Sequence, residues 1–209
     1  MTKKKTSEKF NTAYVLLDRT GSMSSLWDEA VGSINAYLDK LEDDVKVYLA
    51  CFDSESFDVL REDVKKKVKK LKKDEVEPRA CTPLYDSAAK VMNKMLADKP
   101  ERAVFVVMTD GYENASKEYT LDQVKKLMKK IEKKNWPSVM LGADFKEVEA
   151  YATHTFGYNQ ANTVSSARGN MGQTMNLVGL KTTAYFKGDN TAMAWTQAEK
   201  DSVKEEKTK

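Results

Sequence analysis

Histidine and cysteine are scarce in this chain. Among 209 residues there is one histidine, His154, and there are two cysteines, Cys51 and Cys81. A structural zinc site takes four Cys or His ligands, so three such residues exclude it. Two cysteines do not make a disulfide scaffold and fit a reducing compartment better. A serine-hydrolase triad would have to draw its base from His154 alone. Long apolar runs are missing too, and none approaches the ~20 residues that cross a bilayer. The opening MTKKKTSEKFNTAYVLL imitates the charged start of a secretory leader. Its apolar stretch stops at Asp18 without a small-residue cleavage site, so the expectation is a cytoplasmic protein with no membrane contact. An excess of one charge is also lacking. Lys and Arg total 35 against 32 Asp and Glu, and a net +3 does not point to nucleic acid. The composition holds nine glycines and four prolines, without a repeat or a Gly/Pro-rich linker. We therefore expect one domain over residues 10–198, between a flexible tail at 1–9 and a charged tail at 199–209.

What is present is alternation. Phe10 to Leu17 reads as a buried strand. From Ser24 the residues Leu26, Ala30, Val31, Ile34, Tyr37, Leu38 and Leu41 follow helical spacing. Val45 to Phe52 is a second strand, and Phe57 to Leu60 a short third. Val64, Val68 and Leu71 stand at i, i+4, i+7 among lysines, which predicts a short solvated helix. The sharper reading of that stretch is a basic face for an acidic partner or a membrane surface, though flanking acids such as Asp63 and Asp74 weaken it. Pro83 to Ala97 is a helix with proline in its first turn. Ala103 to Thr109, AVFVVMT, is a continuous apolar strand suited to the centre of a parallel sheet. A helix over Leu121 to Lys134, a strand over Trp136 to Leu141, a helix over Lys146 to Thr153, a strand over Thr163 to Ser165 and a helix over Met171 to Phe186 follow. The fold class is α/β: a doubly wound, mostly parallel sheet of about six strands with one antiparallel edge strand, flanked by helices.

In such sheets ligands bind at the carboxyl ends of strands, where the strand order reverses. Three segments should meet there: Asp18, Thr20 and Ser22 after the first strand, Thr82 before a helix, and Asp110 after the long apolar strand. They offer two carboxylates and three hydroxyls. Such hard oxygens suit Mg²⁺ or Mn²⁺. Alternation lets Asp18, Thr20 and Ser22 project to one side, and Gly21 permits a tight reversal. Each fragment alone has a plainer reading, a serine helix cap or an Asp-Gly turn.

The set resembles the metal-ion-dependent adhesion site of von Willebrand factor type A domains, with its Asp-x-Ser-x-Ser followed by a distant Thr and a distant Asp. The surrounding LLDRTGSM, TPLYDSA, MTDGYENAS and WPSVMLGADF resemble the family's stand-alone intracellular members. The likeness covers nearly all of residues 10–186. Thr20 departs from the usual Ser but keeps the hydroxyl. The resemblance implies that Thr20 and Ser22 give hydroxyl oxygens to the ion and that Thr82 binds directly or through water. Asp18 and Asp110 would orient coordinated waters and hydroxyls. One position would stay open for an Asp or Glu carboxylate of a protein partner. Glu113 and Asn114 either touch the rim of this site or cap its loop. The enzymatic alternative is a Mg²⁺-dependent phosphotransferase using Asp18, although Thr20 replaces the second acid such enzymes need. A third class is a scaffold that binds through the Lys-rich 64–73 face.

Overall fold

A computed structural model describes residues 10–143, 147–156 and 162–204, without the side chains of residues 149 and 154–156. The expected N-terminal tail and the side chain of His154 lie outside the described residues. The chain runs β1 (Thr12–Asp18), a 3₁₀ segment Gly21–Leu26, α1 (Trp27–Leu38), β2 (Lys46–Phe52), β3 (Phe57–Val64), α2 (Leu84–Asp98), β4 (Ala103–Thr109), α3 (Leu121–Glu132) and β5 (Ser138–Ala143). It continues with α4 (Val148–Ala150), a π-helical turn Tyr151–Phe156, β6 (Thr163–Ser166), α5 (Met171–Phe186) and α6 (Gln197–Lys204).

One six-stranded sheet has the order β3-β2-β1-β4-β5-β6. All neighbours are parallel except β2 and β3, which pair antiparallel. The α/β class and the antiparallel edge strand are as the sequence predicts. Alternation sorts the side chains of β1 to opposite faces. Ala13, Val15 and Leu17 join a core with Ile34 of α1 and Val178 of α5. Tyr14 and Leu16 join another with Met92 of α2 and Leu127 of α3. Every residue of β1 and β4 is buried, as a strand covered on both faces requires.

Two expectations fail. The predicted helix through Val64, Val68 and Leu71 is not formed. β3 runs on to Val64, a three-residue 3₁₀ turn covers Lys65–Lys67, and the chain beyond is extended. A helix over residues 64–71 would stack five lysines on itself, with like charges at adjacent turns. The extended path instead gives its backbone to Asn35 of α1. Asn35 donates from Nδ2 to the Leu71 carbonyl at 2.9 Å and accepts the Leu71 N–H at 2.8 Å. The residues expected to open a coreless charged tail also behave differently: α6 covers Gln197–Lys204 and fully buries Val203. The Val203 carbonyl accepts the Ala167 N–H at 3.1 Å, which ties this helix to the end of β6. Among the described residues no helix is long and apolar enough to cross a membrane.

Candidate metal centre

The strand order reverses between β1 and β4, and their carboxyl ends carry Asp18 and, one residue past Thr109, Asp110. Asp18 is fully buried. Its Oδ1 accepts the Thr20 N–H at 2.7 Å, a turn that an aspartate two residues upstream forms readily. Its Oδ2 accepts the Thr109 hydroxyl at 2.7 Å. Both oxygens are thus directed, and the turn sets Thr20 and Ser22 side by side, their hydroxyl oxygens 3.2 Å apart. The Ser22 hydroxyl in turn donates to Asp110 Oδ1 at 2.8 Å. These contacts join the first and third predicted segments into one cluster.

Thr82 arrives by a different route. Its N–H donates to Asn114 Oδ1 at 2.8 Å while the Asn114 N–H donates to the Thr82 carbonyl at 3.1 Å. Two residues earlier the Ala80 carbonyl accepts the Gly21 N–H at 3.1 Å. The Thr82 segment therefore lies between the other two, held to both by backbone bonds. Its hydroxyl makes no hydrogen bond among the described residues. Glu113 caps the loop, as one of its two expected roles has it. Its carboxylate accepts N–H groups from Ala115 and Ser116 and reaches across to the Tyr85 N–H at the start of α2. Asp86 answers by accepting the N–H groups of Lys117, Glu118 and Tyr119. Gly21 is not in the left-handed region, so the reversal expected of it is made without special backbone freedom. The left-handed residue is Ala80, φ 59°, just before Cys81 and Thr82. A non-glycine residue there stores on the order of 1 kcal/mol of strain beside the site.

Beneath these loops lies a charged hub that sequence reasoning missed. Arg19, the variable residue between Asp18 and Thr20, is only 4 % exposed and points away from the cluster. Its Nε donates to Asp53 at 2.7 Å, and its Nη2 to Ser56 and Asp58. Arg79 donates to the same Asp53 oxygen from Nε at 3.0 Å. Asp53 also accepts the N–H groups of Glu55 and Ser56. Burial alone would raise its pKa, but the two N–H groups and the two guanidiniums outweigh burial and hold it below the ordinary carboxylate value. The hub fastens the Asp18–Ser22 turn and the Arg79–Thr82 segment to the end of β2. The only sequence signal for it was an arginine flanking the turn.

The electrostatics leave the cluster short of positive charge. Burial pushes the Asp18 carboxyl up to about 6, against the bonds from Thr109 and Thr20, and the neighbouring Asp110 adds to the rise. Burial also raises Asp110. The nearest arginine is spent on Asp53. Two carboxylates and the hydroxyls of Thr20 and Ser22 converge without a cation among the described residues, a donor set that a hard divalent ion fits. Among the described residues no cluster of three His, Cys, Asp or Glu exists to hold an ion without hydroxyl help. As a nucleophile Asp18 is badly placed: it is buried and both oxygens are already engaged. Cys81 is exposed at the rim, whereas Cys51 is buried in β2 with its thiol pushed up to about 12 by burial. Met23 is fully buried under the turn.

No family profile and no curated protein matches the sequence. Solved structures do match the fold. A von Willebrand factor type A protein from Catenulispora acidiphila superposes with a TM-score of 0.58 at 12 % identity, over 84 % of this chain and 43 % of its own. The vWF domain of the type V pili tip protein Mfa5 from Porphyromonas gingivalis gives 0.64 at 9 % identity, over 85 % and 96 %. Proximal thread matrix protein 1 from the mussel byssus, with a zinc-occupied MIDAS motif, gives 0.61 at 12 % identity, over 82 % and 46 %. This chain thus spans less than half of the first and third of these proteins.

Proposed function

We propose that this chain, which has the von Willebrand factor type A fold, is a protein-interaction module dependent on a divalent metal. Asp18, Thr20, Ser22, Thr82 and Asp110 would hold Mg²⁺ or Mn²⁺, and an Asp or Glu carboxylate of the partner would complete the ion's shell. The supporting observation is the Ser22–Asp110 hydrogen bond of 2.8 Å, which unites residues 88 apart, at the surface above the buried Asp18, in a cluster of oxygens that no cation among the described residues joins. When bound, the ion supplies a Lewis-acidic contact for an anionic group. Asp18 is held by Thr109 and the Thr20 N–H so that it orients the turn, and the Thr82 hydroxyl has no competing partner among the described residues. Because Asp18 is enclosed, we read the site as adhesive rather than enzymatic. The stand-alone intracellular type and a cytoplasmic location belong to the same proposal, as does the reading of one domain from residue 10, which α6 carries past the expected end at residue 198.

Thermal melting in EDTA, Mg²⁺ and Mn²⁺ tests this reading. An ion at a hundred times its dissociation constant stabilises by about 2.7 kcal/mol. For a chain of this size that raises the Tm by roughly 5–11 °C. Asp18→Ala should lose the response, and Thr82→Val, which keeps shape but not the hydroxyl, should weaken it. Identical wild-type melts in EDTA and in metal would end the proposal. Turnover of a generic phosphomonoester that Asp18→Asn abolishes would favour the enzymatic alternative.

A further inference from the structure

The near-neutral charge of the whole chain hides a segregation. Between Arg61 and Lys73 eight cations stand against two acids, a net of +6, which leaves the remainder at −3 within the total of +3. The structure lays this excess out as a strap. After the 3₁₀ turn, whose Lys66 N–H donates to the Asp43 carbonyl, the chain climbs α1 from its carboxyl end to its amino end. Lys70 pairs with Asp39 at 2.8 Å, Leu71 brackets Asn35, and Lys73 pairs with Asp28 at 3.3 Å while its carbonyl accepts Trp27 Nε1. The strap then closes on the candidate metal centre, where the Arg79 N–H meets the Arg19 carbonyl and the chain passes into Thr82.

Arg61 of β3 clamps the strap from the other side, donating to the carbonyls of Lys69 and Lys70 and to both oxygens of Glu75 at 2.7 and 2.8 Å. The outcome is a concavity of about 430 Å³ lined by Arg61, Lys67, Lys69, Lys70, Lys72 and Glu75. Its one acid is already neutralised by Arg61 and by the Lys72 N–H at 2.8 Å. Lys66, Lys69 and Lys72 are exposed and form no ion pair among the described residues.

We propose that this strap docks an acidic, extended segment of the protein partner, the same segment whose carboxylate meets the ion. The proposal rests on the metal-dependent reading for that carboxylate and on the strap for the rest. Three features select a carboxylate-rich peptide. The strap's apolar residues, Val68 and Leu71, pack inward on the core, so nothing is left to enter a bilayer. No aromatic ring lies between Arg61 and Lys73 to stack on a base. The guanidinium fork of Arg61, the group best matched to phosphate, is consumed within the fold. What remains is a line of flexible point charges, which suits carboxylates spaced along an extended chain.

Fluorescence anisotropy of a labelled oligoglutamate peptide on the full chain tests it. Combined Lys66→Glu, Lys69→Glu and Lys72→Glu should weaken binding about tenfold, the sum of three exposed charge contacts of ordinary strength. The same three positions changed to Arg should retain it, and rising salt should reduce it. EDTA should weaken wild type and triple variant alike, and the triple variant should keep the metal response of its melting curve. Peptide binding that ignores the triple reversal overturns the proposal. So does a triple reversal that instead abolishes tighter binding to phosphatidylserine vesicles or to an oligonucleotide. If EDTA changes nothing while the reversal still releases the peptide, the strap stands and the metal reading falls.

Discussion

Asp53→Ala removes the acceptor on which two arginines converge. The Asp53 side chain is wholly enclosed, and Arg19 beside it is only 4 % exposed. Breaking a buried pair by deleting one partner costs about 3–5 kcal/mol, because the other charge stays buried without compensation. Arg19 keeps Asp58, a half-exposed carboxylate, and Ser56. The expected loss is therefore at the lower end, about 3 kcal/mol. Urea denaturation in EDTA reads this directly, and calorimetry should show the Tm falling by roughly 6–12 °C. Asp53→Asn retains an acceptor for the Glu55 and Ser56 N–H groups and should lose less, about 1–2 kcal/mol. In an Arg19→Met background the cost of Asp53→Ala should shrink by about 1–3 kcal/mol, since the stranded charge is gone. The pH dependence has a definite sign. Asp53 is held below its ordinary value when folded, so its contribution is present above pH 3.8 and is lost as pH falls below that. A loss under about 1 kcal/mol for Asp53→Ala, or full additivity with Arg19→Met, would refute the hub.

Thr109→Val deletes the hydroxyl that Asp18 accepts at 2.7 Å, a bond to a buried carboxylate worth about 1.5–3 kcal/mol. An unchanged urea midpoint would contradict that role. Asn114→Ala removes the acceptor of the Thr82 N–H and should cost about 1–2 kcal/mol, with weaker Mn²⁺ binding in a titration followed by melting; equal affinity would show that Thr82 is placed without it. Gly179→Ala would gain about 1 kcal/mol of helix propensity. A Cβ there falls 2.7 Å from Lys40 Cβ and 2.9 Å from the Tyr37 carbonyl, so overpacking of about 1–3 kcal/mol should make the variant less stable; a higher Tm would mean that α1 and α5 separate easily.

The large elements were legible because their signals are local. AVFVVMT is β4 to the residue, and Met171–Phe186 is α5. The order of Asp18, Thr20, Ser22, Thr82 and Asp110 was legible as a motif, since each stands at a strand end or helix start. The residues that steer the motif were not. Thr109 reads as the last apolar-strand position. Its hydroxyl meets Asp18 only because β1 and β4 pair with Leu17 opposite Met108. Arg19, Asp53 and Arg79 lie far apart in sequence, and each alone is an ordinary surface charge. The 64–71 stretch misled because helical spacing of three apolar residues is also met by an extended strap whose residues pack wherever α1 offers a surface. Val203, a lone apolar residue among charges, carries no periodicity to announce its burial.

Local patterning by itself determined the α/β class, the strand and helix alternation and the oxygen-rich character of the strand ends, because periodicity and short-range turn chemistry are written along the chain. Tertiary structure decided which donors share a hydrogen bond, where the lysines line up and why no cation among the described residues meets Asp18. Those depend on strand order, on the register of β1 against β4 and on Arg19 turning toward Asp53, all of them contacts between residues that the chain itself keeps dozens of positions apart.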